Sequence, residues 1–162
     1  MNSEPTHVTL RPCTPGDQDF LFQLYAATRM PELAPLGWAP TQIEMFLRMQ
    51  FSSQQRWYEM AYATANHQII CLDGQPVGRI MVLREPAKFQ LVDISLLPEH
   101  RGQGIGGGLL LELIAESEQT GVPVGLQVLK NNPAIHLYER SGFARTGEDE
   151  MYYQMERKPG RR

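Results

Sequence analysis

The sequence has only two cysteines, Cys13 and Cys71, and they lie far apart without a C-x-x-C spacing. A secreted, disulfide-stapled domain would carry more cysteines, and a zinc site needs clustered cysteine and histidine ligands. Both classes are therefore disfavoured and no metal is expected. We expect two free thiols in a reducing, cytoplasmic environment.

Positive charge and long apolar runs are also scarce. The formal net charge is −3 and the pI is about 5.8, so the basic excess that a nucleic-acid-binding protein usually shows is missing. No apolar stretch approaches the roughly 18 residues of a bilayer-spanning helix. The first residues lack the basic and apolar regions of a secretory signal. We expect neither a nucleic-acid partner nor membrane association.

With 162 residues, the chain is long enough to bury a substantial core as one compact domain. We predict a single domain over residues 1–162, with loose ends at about 1–6 and 158–162. Alternating apolar positions predict strands, and apolar residues three or four apart predict helices. The predicted strands are Val8–Cys13, Gln68–Leu72, Val77–Arg84, Phe89–Leu97, Val124–Leu129 and two segments after Phe143. The predicted helices lie near residues 17–29, 41–51, 102–120 and 133–141.

The order of these elements is β-α-α-β-β-β-α-β-α-β-β. It predicts an α+β fold with one mixed, mostly antiparallel sheet of six to seven strands flanked by about four helices. Three prolines and a glycine in Met30–Pro40 predict an irregular loop between the first two helices.

A glycine-rich segment, Arg101–Gly108, lies between a predicted strand and an apolar helix. Main-chain N–H groups at a helix start have no intrahelical partner, and glycine lets a phosphate approach them closely. A pyrophosphate would fit there, with Arg101 adding charge, although a plain flexible turn stays open. A P-loop is excluded because no lysine follows the glycines. The Gly-x-Gly-x-x-Gly spacing also occurs in dinucleotide folds, but Pro98–Arg101 separates it from the strand, and the next strand ends in Lys130 rather than an acidic residue.

Two motifs in this part of the chain resemble the GCN5-related N-acetyltransferase (GNAT) superfamily. The first, [QR]-x-x-G-x-[GA], is matched by Arg101-Gly102-Gln103-Gly104-Ile105-Gly106. The second, N-x-x-A-x-x-L-Y-x-x-x-G-F, is matched from Asn131 to Phe143. The motifs occur in the family's order, with one predicted helix and one strand between them.

The resemblance implies acetyl-CoA as co-substrate and transfer of its acyl group to a primary amine by direct attack, without a covalent enzyme intermediate. It places the pyrophosphate on the main-chain amides of Arg101, Gly102, Gln103, Gly104, Ile105, Gly106 and Gly107. The pantetheine arm would pair with the strand end at Ile94, Leu96 and Leu97, and Asn131 would hydrogen-bond the same arm. The Leu96 N–H would polarise the thioester carbonyl, and Tyr138, near the sulfur, would protonate the departing thiolate.

The general base and the acceptor stay open at this stage. Candidate bases are Asp93, Glu32, Glu99 and His100, and a water chain could replace them. Trp38 is the preferred acceptor-site residue. The other aromatic residues could line the acceptor site, fill the core or form a homodimer contact; they are Phe51, Trp57, Tyr58, Tyr62, Tyr152 and Tyr153. Two further functions stay open: a non-catalytic acyl-CoA-binding module, and a nicotinamide-dependent oxidoreductase through the glycine spacing alone.

Overall fold

The computed structural model describes residues 7–160. Its helices are α1 (Gln18–Leu33), α2 (Pro40–Ala61), α3 (Ile105–Thr120) and α4 (Ala134–Arg140). Its strands are β1 (Val8–Pro12), β2 (Asn66–Leu72), β3 (Gln75–Arg84), β4 (Phe89–Leu96), β5 (Val124–Leu129), β6 (Ala144–Glu148) and β7 (Tyr152–Arg157). The predicted order of helices and strands is confirmed.

The strands form one mixed sheet in the order β1-β2-β3-β4-β5-β7-β6. The β1–β2, β5–β7 and β6–β7 pairs are antiparallel, whereas β4 and β5 run parallel. A parallel pair needs a long crossover connection, and α3 provides it here. The predicted α+β class is confirmed.

The chain packs as two compact units. One contains the described residues up to Ile80 together with Ser95–Gln103, and the other contains Met81–Ile94 together with the described residues from Gly104 onward. In the first unit, α1 and α2 contribute most of a core of buried side chains comprising Leu21, Tyr25, Leu33, Leu47, Phe51, Ile69 and Cys71. In the second, the buried face of α3 consists of Ile105, Leu109, Leu110, Leu113, Ile114 and Ser117.

The predicted loop over Met30–Pro40 is wrong in its first part. Helix α1 continues through Pro31 to Leu33, and a short 3₁₀ turn covers Ala34–Leu36. A proline so close to a helix end removes only one hydrogen bond of the last turn. Burial of Leu33 in the core of the first unit holds that turn in helical form.

Helix α2 runs ten residues beyond its predicted end, through a polar stretch. The reason lies in Arg79 of β3, which is only 4% exposed. Its Nη2 donates to Gln54 Oε1 at 2.8 Å, and its guanidinium lies 5.2 Å from the Tyr58 ring centre. The inner face of this part of α2 therefore contacts the buried Arg79 guanidinium and not an apolar core. Apolar periodicity could not predict this extension of the helix.

The structure describes only part of the predicted loose ends. Residues 1–6 and 161–162 of the predicted loose ends lie outside the described residues. The Gly160 N–H, within the predicted loose tail, donates to both carboxylate oxygens of Glu118 at 3.0 Å.

Cys13 and Cys71 are free thiols. Within residues 7–160, none of the helices has both the length and the apolar character needed to cross a bilayer.

The start of α1 is fixed by an ion pair that should make stability depend on pH. Asp17 accepts hydrogen bonds from Arg11 Nη2 at 2.8 Å and from the Thr14 N–H at 2.8 Å. The hydrogen bonds from Arg11 hold the pKa of Asp17 well below its ordinary value. A depressed carboxyl pKa contributes stability that is present above about pH 4 and is lost as the pH falls through the folded-state pKa.

We therefore expect Asp17→Asn to lower the urea midpoint at pH 7. The difference from the wild type should shrink as the pH falls below about 4, because Asp17 then takes up a proton more readily in the unfolded chain than in the folded protein. Asp19→Asn, an exposed neighbour, serves as the control and should leave the midpoint nearly unchanged. A wild-type advantage that stays constant from pH 7 to pH 2 would contradict the ion-pair explanation.

Candidate active site

The turn before α3 presents six consecutive main-chain N–H groups, those of residues 102–107, that donate to no acceptor among the described residues. The series is bounded on both sides. The Arg101 N–H donates to Pro98 O at 3.2 Å, and the Gly108 N–H donates to Gly104 O at 2.9 Å. The amides from Gly102 to Gly107 are thus available to an anion, as their predicted role requires, whereas the amide of Arg101 is already satisfied within the preceding 3₁₀ turn.

Backbone conformation explains the glycines at this turn. Gly102 and Gly104 have φ angles of +74° and +83°, a region that L-residues with side chains rarely adopt. A Cβ atom at either position would meet no atom within 4 Å, so conformation rather than crowding requires glycine there. Helix α3 begins directly afterwards at Ile105, whose side chain is buried. The positive end of the helix dipole therefore coincides with the unpartnered amides.

The side chain of Arg101 has an intramolecular role in this structure. Its Nε donates to Leu96 O at 3.0 Å, and its Nη2 donates to Thr28 Oγ1 at 3.2 Å. These contacts direct the guanidinium toward the end of β4 and toward α1. Thr28 is a partner that sequence analysis missed, because nothing in the local pattern links residues this far apart in the chain.

Strands β4 and β5 pair over a short stretch only. Phe89–Leu91 lie opposite Val124–Leu126, and the pairing extends no further within residues 7–160. Both strands continue beyond this point, β4 to Leu96 and β5 to Leu129. The carboxyl half of β4 therefore separates from β5. The main-chain N–H and C=O groups on the facing edges of the two strands do not hydrogen-bond to each other there.

Hydrogen bonds at the two ends of β4 indicate an irregularity within the strand. The Phe89 N–H donates to Pro123 O at 2.9 Å, on the β5 side, whereas the Leu97 N–H donates to Val77 O at 2.8 Å, in β3. The two donors are eight positions apart in the sequence. In a regular strand, N–H groups an even number of positions apart point toward the same neighbouring strand. The alternation therefore shifts by one residue, as in a β-bulge. Because adjacent N–H groups point to opposite edges, that of Leu96 points away from β3.

The predicted pantetheine-pairing residues thus differ in what they can offer. Ile94 lies in the part of β4 that has left β5, and its side chain is half-buried. The Leu96 N–H points away from β3, as the role predicted for it requires. Leu97 is already committed, since its N–H bonds Val77 O and its carbonyl accepts from the His100 N–H at 2.9 Å.

Tyr138 is held in place by the C-terminal cap of α4. Gly142 has a φ of +96°, its N–H donates to Glu139 O at 3.2 Å, and the Phe143 N–H donates to Tyr138 O at 3.0 Å. This bond pattern is a Schellman motif, which usually brings together the side chains of its first and last residues. The Tyr138 and Phe143 rings accordingly pack edge to face with centroids 5.8 Å apart.

The Tyr138 hydroxyl has no hydrogen-bond partner within the described part of the chain. Burial, with a smaller contribution from the nearby negative charge of Asp93, raises the pKa of Tyr138 to about 12. The phenol therefore keeps its proton at neutral pH and can donate it. Asp93 is one of the four candidate bases predicted from the sequence. It lies close enough to Tyr138 for its negative charge to act on that phenol.

The remaining predicted site residues are more exposed. Asn131 is exposed in the turn after β5, and its neighbour Asn132 caps α4 by accepting from the Ala134 N–H at 2.9 Å. Glu32 lies 4.0 Å from Arg29. Trp38 remains 40% exposed and packs edge to face on Phe46, 5.3 Å away.

Comparison with known sequences gives the same family for both motifs. Residues 30–143 match the sequence pattern of the Acetyltransferase (GNAT) family. A streptothricin acetyltransferase from Streptomyces lavendulae is 39% identical over 69 residues, which are 41% of this chain and 36% of that protein. A mycothiol acetyltransferase from Pseudarthrobacter chlorophenolicus is 27% identical over 163 residues, which are 91% of this chain and 46% of that protein. The chain thus spans less than half the length of either curated relative.

Solved structures share the fold. A PaiA N-acetyltransferase from Thermoplasma acidophilum, solved in complex with coenzyme A, has a TM-score of 0.70 at 21% identity over 94% of this chain and 99% of that one. A ribosomal-protein-S18-alanine N-acetyltransferase from Escherichia coli has a TM-score of 0.66 at 21% identity, over 96% of both chains. Because the family pattern matches more than half of the sequence and the fold agrees with it, the chain belongs to the GNAT acetyltransferase family.

Proposed function

We propose that this chain is an N-acetyltransferase that uses acetyl-CoA to acylate a primary amine of a small molecule or peptide. The observation that carries the proposal is the run of six unpartnered main-chain amides at residues 102–107, where the positive end of α3 begins. Such an array suits a diphosphate, which can accept several hydrogen bonds at once. Coenzyme A carries a diphosphate, and a relative of the same fold was solved with it.

The residues present fit this co-substrate. The amides of residues 102–107 would hold its diphosphate, and the edge of β4 around Ile94 and Leu96 would pair with its extended arm. Asn131, exposed after β5, would add a side-chain hydrogen bond to that arm. Acetyl-CoA supplies an acyl thioester, which is reactive toward amines without help from a metal or an enzyme nucleophile.

Two groups of this chain would assist the transfer. The Leu96 N–H points away from β3 and would donate to the thioester carbonyl oxygen as negative charge develops there, an electrostatic contribution commonly worth about 3–4 kcal/mol. The Tyr138 phenol, protonated and without a hydrogen-bond partner among residues 7–160, would give its proton to the departing sulfur. No cysteine is needed, which agrees with the burial of Cys71 in the core of the first unit.

Asp93 is the best supported of the four candidate bases. Its carboxylate lies near Tyr138, so it would attract a positively charged amine to the same place and accept its proton. Glu32 forms an ion pair with Arg29. Glu99 and His100 lie within the 3₁₀ turn before the glycines. The curated relatives are named for two different acceptors, streptothricin and mycothiol, so the acceptor is proposed here only as an amine.

Two measurements test this proposal. Titration calorimetry should give saturable binding of acetyl-CoA and none of NADH; the reverse result would favour a nicotinamide enzyme. Release of free thiol from acetyl-CoA should then rise well above hydrolysis with at least one member of an amine, amino-acid, polyamine and peptide panel. Tight acetyl-CoA binding without transfer to any member would favour a non-catalytic acyl-CoA-binding module.

A further inference from the structure

Helix α2 carries a row of large apolar side chains that no other segment of residues 7–160 covers. Met45, Met49, Trp57 and Met60 are 74%, 65%, 59% and 81% exposed. At about 100° per residue, these four side chains fall within about 120° of the helix circumference. The buried residue Leu47 lies on the opposite side. We call the four exposed residues the outer stripe of α2.

Packing among the described residues does not explain the outer stripe. Single exposed apolar residues are ordinary, but an aligned group of large ones on one helix typically marks an interaction surface. Methionine and tryptophan are also enriched in protein interfaces and at binding surfaces that adapt to a partner.

We propose that the outer stripe is a homodimer interface, in which α2 packs antiparallel against α2 of a second copy. A two-fold axis requires each contact to occur twice, so the surface must complement itself. The two ends of the stripe meet this condition. Met45 and Met60 lie equally far from the point between Ser52 and Ser53, so that Met45 of each copy would face Met60 of the other.

The centre of the stripe allows the two helices to approach closely. Ser52 and Ser53 are small and exposed at the point where the helices would cross. The Ser53 hydroxyl already donates to Met49 O at 3.1 Å, so its burial leaves no unsatisfied donor.

Charge on α2 is balanced in a way that suits a second copy. Beside the stripe, Arg48 and Glu59 lie on the same flank of α2, on opposite sides of the point between Ser52 and Ser53. Arg48 of one copy would therefore come within one helical turn of Glu59 of the other. Arg48 is held in place by Glu44, 3.2 Å away, and by the Phe22 ring, 4.1 Å from its guanidinium carbon. The two acidic and two basic residues of α2 sum to zero. An anionic lipid surface would instead favour a helix with excess Lys and Arg.

Sedimentation equilibrium of the full chain over a range of concentrations measures this association directly. We expect a reversible dimer in the wild type and at least about a tenfold larger dissociation constant in Met49→Glu. Leu111→Glu is the matched control, because Leu111 is an equally exposed apolar residue of α3. It should leave the dissociation constant unchanged. Circular dichroism checks that both variants fold.

A gain of signal tests the antiparallel geometry independently of any loss of stability. Ser53→Cys places a thiol beside the proposed two-fold axis, and mild oxidation should convert most of it to a disulfide-linked dimer. Leu111→Cys and the wild type, which keeps Cys13 and Cys71, should remain monomeric on a non-reducing gel.

Three results would overturn the proposal. They are a wild type that is monomeric at every concentration, a dimer equally weakened by Leu111→Glu, and a Ser53→Cys variant that cross-links no faster than Leu111→Cys. Sedimentation of the monomer with phosphatidylserine vesicles, lost in Met49→Glu, would show that the stripe binds lipid instead. None of these measurements requires acyl transfer, so the inference stands or falls apart from the proposed function.

Discussion

Replacing Gly104 by glutamate is expected to abolish acetyl-CoA binding, with affinity lowered by at least about 100-fold, while the protein stays folded. Gly104 supplies one of the six free amides and sits at a φ of +83° directly before α3. The new carboxylate would lie where the diphosphate is proposed to bind, so the two negative charges would repel each other there. Titration calorimetry with acetyl-CoA measures the loss.

Gly121→Glu is the matched control for that variant. Gly121 ends the same helix, has a φ of +72°, and likewise has no atom within 4 Å of a built Cβ. The two variants therefore share the added charge and a backbone strain of about 1–2 kcal/mol, but lie about 26 Å apart. Gly121→Glu should lose similar stability and keep its affinity. If both variants bind acetyl-CoA like the wild type, the turn before α3 is not the diphosphate site.

Removing the Tyr138 hydroxyl should reduce turnover by about 100-fold with little change in acetyl-CoA affinity. Tyr138→Phe keeps the ring packed on Phe143 and deletes only an oxygen that bonds nothing within residues 7–160. The melting temperature should therefore change little, because the ring keeps its packing and no hydrogen bond within residues 7–160 is lost. Steady-state kinetics with the best amine of the panel, together with thermal unfolding, measure both effects.

Tyr25→Phe gives the opposite pattern and serves as the control. The Tyr25 hydroxyl bonds Gln50 Oε1 at 3.3 Å in the core of the first unit, so its loss should lower stability by about 1 kcal/mol and leave turnover intact. The pKa of Tyr138 also makes a prediction, since a value of about 12 keeps the phenol protonated. Wild-type turnover should therefore show no decline from Tyr138 ionisation below pH 10. Wild-type rates in Tyr138→Phe would exclude this residue as the acid.

Much of the site could be predicted because its elements are local. The free amides follow from a glycine-rich strand-to-helix junction, and the cap that fixes Tyr138 follows from Gly142 and Phe143 at the end of a short helix. Each depends on residues within one or two turns of each other. A single sequence contains all the information that such an element needs.

Predictions failed where the stabilising contacts come from distant parts of the chain. Pro31 was expected to end α1, but burial of Leu33 carries the helix past it. Gln54 and Tyr58 were expected to lie beyond α2, yet they pack on buried Arg79. In both places tertiary packing outweighs the local preference, which rarely exceeds a few kcal/mol.

The sequence by itself determined the family, the order of helices and strands, and the glycine-rich turn whose main-chain amides at residues 102–107 have no partner among the described residues. Only the tertiary structure decided that β4 leaves β5 after Leu91, that the Leu96 N–H points away from β3, and that the charge of Asp93 acts on Tyr138. The physical reason is that strand register and the distance between charges depend on segments far apart in the chain. Local propensity carries no information about either.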